Sequence, residues 1–208
     1  MEDVLDLYAE PYARQFPVVC FDELPVQLVA DLRPPLAVAP GRVAREDYQY
    51  ARNGVANVFV LCEPLRGWRH LSVTARRCKS DFAHQMQWLV DHGCPRATTI
   101  RVVLDNLGTH TPEALYDTFP PAEARRLLRR LQFHFTPKHG SWLNIAEIEL
   151  SVLTRECLGR RIPTPEALAT ELAAYEHRRN RAAQPIRWQF TNEKARVKLR
   201  RLYPSNPS

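Results

Sequence analysis

Two aspartates close apolar runs of strand-like length: Asp22 follows Val18–Phe21 and Asp105 follows Ile100–Leu104. A carboxylate at the end of a buried strand stands at the rim of a sheet, where α/β proteins place much of their chemistry. Aspartate is also a common turn residue, so neither position is decisive alone. A third acid comes from residues 143–158, which read as a helix. At 100° per residue, Leu143, Ala146, Leu150, Leu153 and Cys157 share one apolar face and Ile145, Ile148 and Val152 a second. The helix should therefore be packed on two sides. Between those faces run two polar stripes, one of Asn144, Glu147, Ser151 and Thr154, the other of Glu149 and Glu156. Glu147 and Glu149 lie about 160° apart around the axis and cannot both face one site. The stripe of Glu147 also offers an amide and two hydroxyls, which makes Glu147 the candidate. Glu149 stands as the alternative, its plain reading being a solvent-facing or salt-bridged surface charge.

Three converging carboxylates repel one another and take up protons unless cations neutralise them. Hard divalent ions do so, and Mg²⁺ prefers oxygen ligands while keeping waters and substrate phosphates in its shell. Two such ions about 3.5–4 Å apart activate an attacking oxygen and stabilise a leaving oxygen in displacement at phosphorus. The charge distribution agrees. The 208 residues carry a net +6, but residues 1–120 hold 12 basic and 15 acidic side chains, whereas 121–208 hold 17 and 8. The basic C-terminal part is suited to a polyanion, with a solvated arginine-rich surface as the alternative.

The elements that must position these residues follow from pattern. Residues 17–23, 27–31, 57–62, 68–75 and 100–105 read as strands, the middle ones forming a hairpin through Pro64 and Gly67, while Pro34, Pro35, Pro40 and Gly41 break the chain. Helices are expected over 80–92, from Thr111, over 122–131 with Arg125, Arg126, Arg129 and Arg130 clustered, and over 165–181 behind a Thr164 cap. Phe133–Phe135 is a brief strand, and a basic helix capped by Thr191 closes the chain. Strands alternating with helices favour an α/β sheet with parallel members. The five cysteines form no C-x-x-C pair, which argues against a zinc site or a disulfide framework and for a reducing compartment. No signal segment or apolar run of membrane-spanning length is present. A soluble, cytoplasmic protein is expected.

C-F-D-E at 20–23, L-D-N-L-G-T-H-T at 104–111 and T-P-K-H-G-S-W-L-N-I-A-E-I-E at 136–149 resemble the three signature blocks of DDE transposases, most closely the bacterial insertion-sequence branch of the mariner superfamily. The resemblance runs from about residue 15 to Tyr203 and includes W-x-F-T-x-x-x-A-R-x-K-L at 188–199. It implies an RNase H-like fold, a central mixed five-stranded sheet of antiparallel hairpins plus parallel strands, flanked by helices. It also implies DNA strand cleavage and strand transfer with two Mg²⁺ or Mn²⁺ ions and no organic cofactor. Asp22, Asp105 and Glu147 match the catalytic metal ligands; Asn106, His110 and Asn144 would support them, with turn and helix-cap roles as the alternative for Asn106 and His110.

Ile145 replaces the proline usual before the third acid and should let the helix start earlier. Forty-one residues separate Asp105 from Glu147, longer than the short eukaryotic pattern. Twenty-one residues precede Asp22, too few for the helix-turn-helix modules that read transposon ends. The expected division is 1–16 as an N-terminal remnant or linker, 17–160 as the catalytic core and 161–208 as a basic helical extension of the same domain. Lys138, His139, Arg178, Arg179, Arg181, Lys194, Arg196 and Lys198 are the candidate contacts to double-stranded DNA, and a second copy of the chain is a candidate partner. Two other readings remain. One is a hydrolytic RNase H-like nuclease with Glu23 or Glu149 as a fourth acid, the other a non-catalytic DNA-binding remnant.

Overall fold

A computed structural model of the chain describes residues 1–34, 36–43, 45 and 47–203. Pro35 and the end of the C-terminal extension, residues 204–208, lie outside the described residues. Five strands form one mixed sheet: β1 Val18–Asp31, β2 Tyr50–Glu63, β3 Trp68–Thr74, β4 Ile100–Leu104 and β5 Leu131–Phe135, in the order β3-β2-β1-β4-β5. The pairs β1–β2 and β2–β3 are antiparallel, and β1–β4 and β4–β5 are parallel. This is the expected sheet, antiparallel on one side and parallel on the other.

Strand alternation divides the core into two layers. Val19, Phe21, Phe59, Leu61, Val102 and Leu104 face helices α2 Lys79–Trp88, α3 Glu113–Thr118 and α4 Pro121–Leu128. Cys20, Val58, Val60, Cys62 and Val103 face α1 Glu2–Ala9, α5 Ala146–Glu156, α6 Pro165–Ala182 and α7 Asn192–Lys198. Within residues 1–16, α1 buries Val4, Leu5 and Leu7 in this second layer.

Three expectations are corrected. Residues 17–23 and 27–31 belong to one strand that runs through Asp22. Proline is excluded from central strands, but β4 pairs only with Val18–Cys20, so beyond that point β1 has a free edge and Pro25 is tolerated there. The helix of the third block does not start earlier for lack of proline. Ser141–Leu143 is a 3₁₀ turn, Asn144 is extended, and α5 begins at Ala146, whose N–H is accepted by the Asn144 side-chain oxygen at 3.1 Å. The second face expected for this helix is covered only in part: Ile145 is buried and Val152 half-buried, but Ile148 is exposed. On α4 and just beyond it, Arg126 pairs with Asp91 and Glu123, and Arg130 donates to the carbonyls of Val90, Cys94 and Ala97. These two arginines brace the fold.

Candidate active site

The parallel pairing of β1 with β4 ends at Cys20 opposite Val103. Carried two steps further, that register sets Asp22 beside Asp105, one residue past the end of β4. Asp22 shares its side of β1 with Cys20, the side on which α5 packs. Asn144 joins the two elements: its side-chain N–H donates to the Phe21 carbonyl at 2.8 Å and to Asp22 Oδ2 at 3.3 Å. The Tyr8 hydroxyl, from α1, donates to the Leu143 carbonyl at 2.9 Å and so fixes the turn ahead of α5. Glu147 then leaves the first turn of α5 toward solvent, close enough for its charge to act on Asp22.

The rim is crowded with negative charge. Burial, followed by the charges of Glu147, Glu23 and Asp105, pushes the Asp22 carboxyl up to about 7, against a backbone hydrogen bond from Glu23 that favours the ionised form. Asp105 is held below the usual carboxylate range, chiefly by its hydrogen bond with His110 Nδ1 at 2.6 Å. His110 is buried against the rings of Phe21 and Phe82, and its Nε2 lies 3.0 Å from Glu23 Oε2. Burial alone would lower the imidazole, but Asp105 and Glu23 together raise it to about 9. His110 thus sits between two carboxylates, Glu23 on β1 and Asp105 just past the end of β4.

The DDE superfamily endonuclease family matches residues 17–169, which contain Asp22, Glu23, Asp105, His110, Asn144 and Glu147. The chain belongs to that family. The DDE endonuclease chain also resembles solved structures: a pre-cleavage Mos1 transpososome at 16% identity and a TM-score of 0.55, over 85% of this chain and 52% of that one. That likeness extends the fold assignment to an RNase H-like sheet, and the chain spans about half the length of the Mos1 chain. A Mos1 strand transfer complex (16% identity, 96% and 50% coverage, TM-score 0.37) and a Mos1 mariner paired end complex with Mn (15%, 88% and 59%, 0.36) match less well in shape. No curated protein matches the sequence.

Among the described residues no three His, Cys, Asp or Glu side chains already converge on one metal position. The donor set of the DDE endonuclease rim nonetheless fits a hard dication. It is all oxygen, Asp22 is burdened by three neighbouring carboxylates, and exposed Glu147 has no basic partner among the described residues. Of the expected supporting residues, the structure brings Asn144 and His110 to the rim, whereas Asn106 is exposed and has no side-chain hydrogen bond among those described.

Glu149 is neither surface charge nor fourth acid. It is buried and clamped by Arg69, whose Nη2 and Nε donate to it at 2.7 and 3.1 Å, with Arg179 Nη2 at 3.3 Å. Arg69 also donates to the carbonyls of Gly67 and Arg179, and its backbone exchanges hydrogen bonds with the Asn180 side chain. The pattern could have revealed this: on β3 Arg69 shares a face with buried Leu71, and on α5 Glu149 falls at helical spacing from Ala146 and Leu153.

The DNA candidates divide likewise. Arg179 belongs to the clamp, Arg178 pairs with Glu156, Arg196 pairs through two contacts with Glu2, and Lys194 donates to the Gln189 carbonyl. Lys138, His139, Arg181 and Lys198 are exposed. Lys138 and His139 follow β5 at the same rim as Asp105, whereas the others stand on α6 and α7. Of the eight, Arg178, Arg179 and Arg196 are thus paired with carboxylates within the chain.

Proposed function

We propose that this DDE endonuclease chain is the catalytic domain of a DNA transposase, which cuts a DNA strand at phosphorus and then joins the freed 3′-hydroxyl to a second DNA. What carries the reading is Asp22 beside Asp105, past the end of the parallel pairing, with Glu147 near enough to raise the Asp22 carboxyl. Asp22, Asp105 and Glu147 would hold two ions of Mg²⁺ or Mn²⁺. Such ions, when bound, supply Lewis acidity to the attacking and leaving oxygens.

The chain's own residues prepare the rim. His110 favours the ionised form of Asp105 through its hydrogen bond to Oδ1. Asn144 ties α5 to β1, so that the first turn carrying Glu147 cannot drift from Asp22. Lys138 and His139, with Arg181, Lys194 and Lys198 further out, would track the DNA backbone as phosphate contacts that carry no sequence information. Residues 17–160 are proposed as the core and 161–208 as its extension, and a homodimer serving two DNA ends belongs to the same reading. The five free thiols suit a reducing cytoplasm, and no helix of the described residues is long and apolar enough to cross a membrane.

The test is to incubate the chain with a labelled duplex and supercoiled plasmid in Mn²⁺. Metal-dependent nicking with joined product is expected. Nicking that never yields joined product would favour a hydrolytic nuclease, and a chain that neither binds Mn²⁺ nor nicks would be a non-catalytic remnant. The nuclease reading lacks a free fourth acid, because Glu23 is engaged with His110 and Glu149 with Arg69.

A further inference from the structure

The rim contains a cation that the charge pattern of the C-terminal part does not include. β3 runs parallel to β1, and its last residue, Thr74, lies across β2 from Pro25, at Asn57 in both registers. The segment that follows, residues 75–78, therefore leaves the sheet beyond Asp22, on the side away from Lys138 and His139. It carries Arg76 and Arg77, both exposed. Arg77 Nη1 stands 3.6 Å from Glu23 Oε1, with the arginine side chain about half exposed. That separation is too long for a hydrogen bond, so the planar fork keeps its donors. Its charge nevertheless reaches the site, since it helps to lower the Asp105 carboxyl. Among the described residues Arg77 is the only lysine or arginine within salt-bridge distance of Asp22, Glu23, Asp105 or Glu147.

A phosphodiester approaching this rim meets four carboxylates. A guanidinium with free donors offers two parallel hydrogen bonds to non-bridging phosphate oxygens, a geometry that an ammonium group does not reproduce. Resting on the transposase reading, we propose that Arg77 is a substrate-positioning residue that binds a DNA phosphate at the carboxylate rim, opposite the flank formed by Lys138 and His139. Arg76, next to it, has no contact with the rim carboxylates among the described residues and serves as the control. The alternative is a purely structural role, in which Arg77 balances the charge of Glu23.

Binding of a labelled duplex to the full chain in Ca²⁺, followed by fluorescence anisotropy across a salt series, separates these roles without relying on catalysis. Removing one phosphate contact lowers the slope of log affinity against log salt by about 0.9. The expected result for Arg77→Ala is that loss of slope, with binding weakened about tenfold, KM for nicking raised in proportion and Mn²⁺ affinity unchanged. Arg77→Lys should recover part of the affinity, and Arg76→Ala should match the wild type. An unchanged slope in Arg77→Ala overturns the assignment. So does a loss of DNA binding that is matched by lost Mn²⁺ binding or a lower Tm, which marks Arg77 as structural. If the wild-type chain binds no duplex at all, the transposase reading falls as well.

Discussion

Glu147 and Glu149 leave the same helix two residues apart, into surroundings of opposite electrostatic character. Glu149 enters a buried cluster where Arg69 and Arg179 outnumber it and every oxygen is engaged. Glu147 enters a rim where Asp22, Glu23 and Asp105 are met by one buried imidazole and one half-exposed arginine. A fold that merely needed polar groups at both places could have compensated both. The Glu149 carboxylate is fully paired within the protein, and the cluster ties β3, α5 and α6 together. The rim is left short of positive charge, which is the condition under which a dication and a substrate phosphate bind by supplying what the protein withholds.

The largest effect should come from removing the uncompensated acids. Asp22→Asn, Asp105→Asn or Glu147→Gln is expected to lower metal-dependent nicking by roughly a thousandfold, about 4 kcal/mol in the barrier. Thermal stability should hold, and Asp22→Asn should raise Tm in metal-free buffer, because a buried like-charge contact is relieved. Glu149→Ala inverts this pattern. Leaving Arg69 buried without its partner costs about 3–5 kcal/mol of stability, with activity following the folded fraction. A Glu149→Ala chain that melts like the wild type yet fails to nick DNA would move Glu149 into the site and undo the contrast.

The parts of this arrangement that were legible in sequence are those set by local pattern. Apolar runs ending in Asp22 and Asp105 marked the two strands, and the helical wheel separated Glu147 from Glu149. The long-range partners were not legible. Arg69 and Glu149 are 80 residues apart in the chain, and a charged residue on a strand reads as solvent-facing unless its apolar neighbours on the same face are given more weight. Glu23 looked like a spare acid because the residue that occupies it, His110, reaches it only across the sheet. The continuation of β1 through Pro25 was hidden for a related reason: where β1 becomes an edge depends on where β4 stops, and β1's own residues do not contain that information.

A smaller effect sharpens the contrast from within the rim. His110 touches no reacting atom, yet it neutralises part of the cluster and orients Asp105. Groups that orient metal ligands in this way are worth roughly 10–100-fold in metal affinity. His110→Gln should weaken Mn²⁺ binding by that amount in a calorimetric titration, with Glu23→Gln falling between it and the wild type. The same measurement on Arg69→Lys should show wild-type affinity in whatever fraction remains folded, since the clamp acts on stability alone. Weakened Mn²⁺ binding in folded Arg69→Lys would mean that the two clusters communicate along α5.

The smallest effect is in pH dependence. A carboxyl raised in the fold, as Asp22 is to about 7 from 3.8, favours its neutral form. Its contribution to stability is complete below the unfolded value and is lost as pH rises through about 7. Through Asp22 the metal-free chain should therefore lose stability from about pH 4 up to about pH 7. His110, raised to about 9, adds a second loss that begins only above its unfolded value near 6.5 and is complete past 9. A dication binds the ionised form of Asp22, so below pH 7 it must displace a proton, and Mn²⁺ affinity should fall about tenfold per pH unit there while staying level above. Tm followed from pH 5 to 8, with and without Mn²⁺, reads both trends. Asp22→Asn should remove the metal-free decline below pH 6.5 and leave the His110 part, whereas Glu149→Gln should leave the whole profile in place on a lower baseline. A metal-free profile that rises from pH 5 to 6.5 would mean that Asp22 is already compensated within the protein, as Glu149 is.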